Sequence, residues 1–329
     1  MPGIVLIFYD PKGTLFLLWE CKDIFCFFAK YNLMNIYMTH RAGFVNIIGN
    51  PNVGKSTLMN ALSGEKLSII SPKAQTTRHR IMGIVNGEDF QIVYSDTPGI
   101  VNPHYKLHKS MMHFVESALQ DADVFLYVTE LGESGFDESI VARIREAQKP
   151  ILLLINKIDL ASHEEVNHKV DFWHEAIPDA EIMPVSALKK LNLDKLVAKL
   201  IGMLPENPPY FPKDELTDRP LRFFVSEIIR EKIFLQFQKE VPYSCEVIVN
   251  EFKEQQPVVK IAASIFVARE SQKAILLGHQ GKGIKRLGTE ARKDIEAFID
   301  SKVFLELTVK VSKDWRDDER QLRRFGYEF

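Results

Sequence analysis

Four short stretches of this chain are apolar nearly end to end and then stop at a polar or glycine-bearing turn: GFVNII (43–48), FQIVYSD (90–96), ILLLIN (151–156) and EIMPV (181–185). Short apolar runs bounded in this way are the pattern of strands buried on both faces. STLMNALSG (56–64) spaces its apolar residues for a helix, so 43–64 predicts a strand–loop–helix unit. Strands alternating with helices predict an α/β doubly wound sheet, in which sites collect where the strands end. Beyond Pro205 the pattern changes. Pro205, Pro208, Pro209, Pro212 and Pro220 crowd into 205–220, which predicts a semi-rigid linker and a domain boundary. LRFFVSEIIREKIFLQF (221–237) then has helical spacing, and YSCEVIVNEF (243–252) and VVKIAASIFVA (258–268) alternate like an antiparallel strand pair. Residues 271–300 read as two helices broken at Gly278-His279-Gln280-Gly281, and VFLELTVKVS (303–312) as a last strand.

Residues 1–37 fit neither pattern. They are rich in large apolar residues (IVLIFY, LFLLW, IFCFF) but are broken by Asp10, Lys12, Glu20, Lys22 and Asp23. No run approaches the roughly 20 residues that span a bilayer, and no clear basic start or small-residue cleavage site marks a signal peptide. Met38 stands just ahead of the first convincing strand, so the expectation is that translation begins there; the other reading is a membrane-seeking extension. The composition, 46% apolar and 26% charged over 329 residues, is that of a soluble globular chain of two domains. A net charge of −2 carries no global sign of a nucleic-acid partner, so any such signal must be local. Cys21, Cys26 and Cys245 cannot build a disulfide framework, which suits a reducing cytoplasm, and Cys21 and Cys26 lack a second ligand pair for a metal.

The chemistry lies in the turns. GNPNVGKS (49–56) spells a phosphate-binding loop: Gly49, four free positions (Asn50, Pro51, Asn52, Val53), then Gly54, Lys55 and Ser56, with Thr57 next. Glycines let the backbone wrap a phosphate closely with N–H groups turned inward. Lys55 is expected to reach the β/γ-phosphates and the Ser56 hydroxyl to ligate Mg²⁺. At the next strand end, Asp96-Thr97-Pro98-Gly99 offers a carboxylate that acts on Mg²⁺ through water and a glycine N–H for the γ-phosphate. Asn156-Lys157-Ile158-Asp159 offers a carboxylate for the paired N–H donors of guanine, with Lys157 lying along base and ribose. Ser186-Ala187-Leu188 offers a backbone N–H for guanine O6. Their order predicts a guanine-nucleotide switch domain. Between the loop and Asp96, KAQTTRHRIMGI (73–84) supplies Thr76 and Thr77 as candidates to sense the γ-phosphate through Mg²⁺; Thr77 joins Ser56 and Asp96 in the expected metal set. Arg78 and Arg80 are read as solvated loop arginines, with neutralisation of phosphate as the other reading. Lys55, Thr77 and Gly99 are the candidate catalytic groups. Ile100 follows Gly99 and cannot hydrogen-bond a water, so intrinsic hydrolysis should be slow, with the water held by a backbone group, a second water, a partner or a monovalent cation.

In the second half the element order α-β-β-α-GxxG-α-β carries Gly278, His279, Gln280 and Gly281 between two helices. Around them Arg269, Lys273, Lys282, Lys285, Arg286, Arg292 and Lys293 outnumber Glu270 and Glu290. That order resembles the KH domain, and the resemblance implies a turn that clamps a nucleic-acid backbone; with the local positive charge it predicts binding of a short unpaired RNA through Gly278–Gly281, Lys282, Lys285 and Arg286. Ile275, Leu276, Leu277 and Ile284 are expected in the core. A C-terminal domain that grips protein instead, or a plain ATPase, remain the alternatives.

This order of elements resembles the prokaryotic (type II) KH domain. One GTPase set followed by one such domain, with SEIIREKI (226–233), ARKDIE (291–296) and DDERQLRRFGY (317–327), resembles the Era family of bacterial ribosome-assembly GTPases from about Met38 onward. The resemblance implies a GTPase domain over 38–204 and a KH-like domain over 221–329, with the proline-rich linker over 205–220 between them and an atypical extension over 1–37 ahead of them. It implies GTP or GDP with Mg²⁺ as cofactors; a resemblance to some related GTPases implies Asn52 as a K⁺ holder, with shaping of the loop as its other reading. As partners it implies the 3′ end of small-subunit ribosomal RNA and the 30S subunit, in a monomer that is cytoplasmic and peripheral on the inner membrane. Two departures stand out: 1–37 has no counterpart, and His279-Gln280 fills a GxxG interior where lysine is often found.

Overall fold

Apolar runs in this chain become strands wherever a flanking helix can cover them. The computed structural model describes the backbone of 5–9 and 15–19, and residues 40–329 apart from 72, 74, 134, 136, 255 and 256. The first runs form β1 (Val5–Tyr9) and β2 (Leu15–Trp19), an antiparallel pair in a unit of its own. Cys21, Cys26, Met38 and the rest of 1–37 lie outside the described residues, and so do the expectations made for them.

The six-stranded sheet runs β4 (Ile81–Asn86), β5 (Phe90–Asp96), β3 (Arg41–Ile48), β6 (Val124–Glu130), β7 (Ile151–Asn156) and β8 (Glu181–Pro184). All its pairs are parallel except β4–β5. That exception follows from connection length: a short turn at Gly87 can only reverse the chain, whereas parallel neighbours need a crossover. Both faces are covered, and successive residues go to opposite cores. Val45, Leu126, Val128, Leu152 and Leu154 pack under α1 (Lys55–Ser63) and α5 (Leu193–Met203). Ile48, Phe125, Tyr127, Leu153 and Ile155 pack with Leu119 of α2 (Lys106–Asp121) and with α3 (Glu138–Glu146) and α4 (His163–Ala176), around the fully buried Trp173. The parallel strands therefore present their C-terminal ends, and the turns predicted to carry chemistry, along one rim.

The proline-rich stretch is less a free linker than a docked one. Pro205 O accepts from Ala42 N (3.2 Å) and Leu216 O from Ile84 N (2.9 Å). The Gln91 amide donates to Phe211 O and accepts from the N–H groups of Tyr210 and Phe211. Among the described residues the second half is α6 (Leu221–Gln236), β9 (Cys245–Lys253), β10 (Val259–Val267), α7 (Glu270–Leu277), α8 (Lys282–Ile299), β11 (Val303–Val311) and α9 (Glu319–Arg324). Its sheet has the order β11-β10-β9, with β10 antiparallel to β9 and parallel to β11. Ile261, Ala263, Ile265 and Val267 face Ile229 and Ile233 of α6 and Leu287, Ala291 and Ile295 of α8. The predicted order is observed, with α9 added at its end. A further core joins the halves: Leu107, Met111 and Phe114 of α2 pack with Phe266, Trp315, Leu322, Phe325 and Tyr327.

Candidate functional site: a phosphate cradle and a GxxG face

The loop after β3 owes its shape to its glycines. At Gly49 (φ +152°) an added Cβ would lie 2.2 Å from Val128 O, and at Gly54 (φ +99°) 2.3 Å from Asn156 Nδ2. A side chain at either place would force the loop off β6 or β7. Gly99 reaches the same loop: a Cβ there would come within 2.9 Å of the Pro51 ring. With Lys55, Thr77 and Lys157 these segments line a cavity of about 240 Å³.

Inside it, Lys55 Nζ donates to Gly49 O (2.9 Å) and Asn50 O (2.8 Å). Burial pushes its pKa down to about 8, against the pull of Asp96 and Glu133. Ser56 Oγ donates to Asp96 Oδ2 (2.8 Å) and lies 2.9 Å from Thr77 Oγ1, which is 3.4 Å from the same carboxylate oxygen. Burial raises the pKa of Asp96, and its Oδ1 has no partner. Three converging oxygen groups with an unsatisfied buried carboxylate oxygen fit a hard divalent cation such as Mg²⁺. Of the two threonines, Thr77 joins this cluster; Thr76 Oγ1 donates to Lys73 O (2.6 Å). Thr97 is buried and donates to Ile47 O (2.9 Å), which ties β5 to β3.

At the far end of the cradle, Asn156 uses both ends of its amide on protein: Nδ2 donates to Val53 O (2.8 Å) and Oδ1 accepts from Ala187 N (3.0 Å). A guanine O6 would share the Ala187 N–H with Asn156. The Asp159 carboxylate accepts from Ser186 Oγ, and Leu188 is exposed beside it. Lys157 (φ +64°) donates to Asn52 O (2.8 Å) and pairs with Glu130. Asn52 itself is exposed, with φ +68°.

Sequence reasoning missed Glu130 and Glu133. Glu130 ends β6, and Glu133 accepts from Asn50 Nδ2 (2.7 Å) and Thr129 Oγ1 (2.6 Å). The signal was available: VFLYVTE (124–130) is another apolar run, and its end falls on the same rim. The reading of Arg78 and Arg80 as solvated is corrected. Both are buried, Arg80 by donating to Asp121 (2.6 Å) and Ser95 Oγ (2.6 Å), and Arg78 by crossing to the second half of the chain.

On that second half, Gly278 (φ +67°) has no room for a side chain, since a Cβ would lie 2.9 Å from Gly283 N. Gln280 (φ +51°) and Gly281 (φ +75°) complete a left-handed turn that starts α8, and open space surrounds Gly281. His279, Gln280, Lys282, Lys285 and Arg286 are exposed around it. Lys293 is paired with Glu290 (3.0 Å). Leu276 is buried, and Leu277 and Ile284 pack on the core as expected, but Ile275 is corrected: it is 49% exposed on this face. Among the described residues no helix is long and apolar enough to cross a membrane.

The model of the 50S ribosome-binding GTPase family matches residues 44–157, and that of the KH domain residues 240–316. GTPase Era of Geotalea uraniireducens is 48% identical over 291 residues, covering 88% of this chain and 98% of that one. GTPase Era of Alkaliphilus metalliredigens is 42% identical, covering 88% and 100%. Among solved structures, a variant of Aquifex aeolicus Era bound to GDP·AlF4⁻ matches with a TM-score of 0.85 and 41% identity over 88% of this chain and all of that one. Era in complex with MgGDPNP and nucleotides 1506–1542 of 16S ribosomal RNA matches with a TM-score of 0.85, 42% identity and the same coverage.

The Lys55 ammonium gives a pH dependence. With its pKa lowered to about 8 in the free protein, and raised again when phosphate anions face it, binding above pH 8 takes up a proton. Nucleotide affinity should be constant below that pH and fall by up to about tenfold per unit above it. Calorimetry at pH 9 in buffers of different ionisation heat reads that proton, and a buffer-independent heat would exclude it.

Proposed function

Since this chain belongs to the Era family of GTPases, we propose that it is a guanine-nucleotide switch whose KH domain holds the 3′ region of small-subunit ribosomal RNA during 30S assembly. That it hydrolyses GTP follows from the family; the residues that do so, and the RNA, are the reading advanced here. One observation carries it: the Ser56–Thr77–Asp96 cluster and the exposed GxxG face belong to one packed unit, so a change at the first has a path to the second. An Era relative solved with MgGDPNP and 16S nucleotides supports it.

In this reading Gly49 to Thr57 cradle the phosphates, and Lys55 turns from its loop carbonyls to the β/γ-phosphates. Ser56 and Thr77 hold Mg²⁺ directly and Asp96 through water; the ion when bound neutralises charge on the leaving phosphates. Gly99 offers its N–H to the γ-phosphate. Asp159 reads guanine by its two N–H donors, Lys157 covers the base, and Asn156 braces the loop at Val53 and Ala187. Hydrolysis frees the switch segments (about 69–82 and 96–112) and changes how the GTPase half packs on the KH half. Ile100 is half-buried against the core and cannot hold a water, so turnover is slow, and Asn52 would hold K⁺. Peripheral membrane association and a monomeric state complete the proposal.

Asp159→Asn should lower the preference for GTP over ATP by about 10- to 100-fold, the worth of hydrogen bonds to a charged acceptor; competition binding measures it. Turnover in K⁺ should exceed that in Na⁺, and equal rates would remove the K⁺ site. RNA affinity is the central test. A 3′-end fragment of 16S RNA should bind more tightly with GDPNP than with GDP, and weaken steeply with salt as phosphate contacts require. Equal binding in all nucleotide states would end the switch reading, and salt-independent capture would favour a protein partner.

A further inference from the structure

Thr77 belongs to the oxygen cluster with Ser56 and Asp96, and the side chain of the very next residue is inserted into the KH half. Arg78 is 1% exposed. Its Nη1 donates to Cys245 O (2.7 Å) and Glu246 Oε2 (3.0 Å), and its Nη2 to Pro242 O (3.2 Å) and Tyr243 O (3.1 Å). The Trp315 ring flanks it, with the guanidinium carbon 5.9 Å from the ring centre, and the indole donates to Ser244 O (3.1 Å). Glu246 is itself held by the Tyr327 hydroxyl (2.6 Å) and by Val247 N (3.1 Å). Burial disfavours the charge on Glu246, but Arg78 and Arg230 hold its pKa below the usual carboxylate range, so the socket keeps its anion. His79 plugs the seam, stacked 4.3 Å from Tyr327 with Phe223 and Phe114 around it.

The other side of the switch segment is fastened to the same domain. Ile70 N donates to Glu231 Oε1 (3.2 Å), and Lys73 donates to the Phe234 and Phe237 carbonyls at the end of α6. Successive Cα atoms are about 3.8 Å apart, so a fixed Arg78 leaves Thr77 only backbone rotation with which to leave the metal cluster. A planar fork among several acceptors fixes direction as well as distance, which a lysine cannot do.

We propose that the Arg78 socket of the KH domain is a positioning device for Thr77, so that Glu246 and the carbonyls of Pro242, Tyr243 and Cys245 set the preference of the distant nucleotide site for triphosphate over diphosphate. This rests on the reading of Thr77 as the γ-phosphate sensor. Arg78 and Glu246 touch no nucleotide; they act through Thr77. Holding Thr77 in place beforehand removes an ordering cost that only the triphosphate state meets, because GDP presents nothing for Thr77 to sense.

The test measures GDP and GDPNP affinity in Mg²⁺, with kcat and KM, for Arg78→Lys and Glu246→Gln in the full chain. GDPNP affinity should fall by about tenfold while GDP affinity changes by less than about twofold, with kcat falling alongside. Arg78→Lys, which keeps the charge but loses the fork, should rescue little. A seam variant combining Arg78→Met with Glu246→Leu replaces the ion pair by apolar groups of similar size, which a fold tolerates better than half a pair. It should show the same loss of discrimination in a protein that still unfolds in one cooperative thermal transition, and it decides the matter where the single variants fold poorly. Equal losses for both nucleotides, or none, in folded variants overturn the proposal. Thr77→Ala separates the two layers. If it leaves the GDPNP-to-GDP ratio intact, the sensor reading is what failed; if it collapses the ratio and the Arg78 variants do not, the socket alone is refuted.

Discussion

A carboxylate buried without enough partners is the constraint around which this molecule is arranged. Asp96 ends a central strand, has its Oδ2 shared by Ser56 and Thr77, and leaves Oδ1 unsatisfied. Burial of that kind is costly unless a positive charge compensates it. Lys55 supplies part of the compensation from the cradle side, itself desolvated enough for its pKa to drop to about 8. Two opposite charges, each under-solvated and each needing more than the protein gives, describe a site poised for a cation and an anion together. A metal–nucleotide pair would satisfy both.

The two-faced sheet makes this arrangement affordable. Because β3, β5, β6 and β7 are covered on both sides, their backbones are rigid and their ends hold position; the short β8 continues the same rim. Each end then contributes one part: the phosphate loop, Asp96, the Glu130–Glu133 pair, Asn156 to Asp159, and Ser186 to Leu188. Cross-ties such as Asn156 to Val53 and Ala187, and Asn50 to Glu133, join neighbouring turns sideways. The rim behaves as one piece, while Ile70, Lys73 and Arg78 take their support from the other domain.

Much of this was legible in the chain. Periodicity placed β3, β5, β7 and β8 but not β4 or β6, and spacing within GNPNVGKS, DTPG and NKID named residues that the fold does bring to one cavity or its edge. The GxxG turn was equally plain, since glycines at positive φ leave a mark that few other constraints produce. What escaped was long-range pairing. Nothing local distinguishes Arg78 from a solvated arginine, because its acceptors are mainly carbonyls, and Cys245 lies 167 residues away. Arg80 hides for the same reason, its partner Asp121 being on a helix whose pattern does not name it. Ile275 misled in the other direction: apolar spacing on α7 predicted burial, yet the short helix beside an open turn leaves that face uncovered. The proline-rich stretch looked like a spacer because proline content reports stiffness and says nothing about what the chain lies against.

That docked stretch has a consequence for solubility. β4 is the outermost strand of a six-stranded sheet and would offer its free amides to any extended peptide. Leu216 takes the Ile84 N–H, Asp218 takes that of Met82 (3.2 Å), and the Asn86 side chain donates to Lys213 O (3.0 Å). The segment thus works as a selvedge, finishing the border of the fabric so that a second sheet cannot be stitched to it.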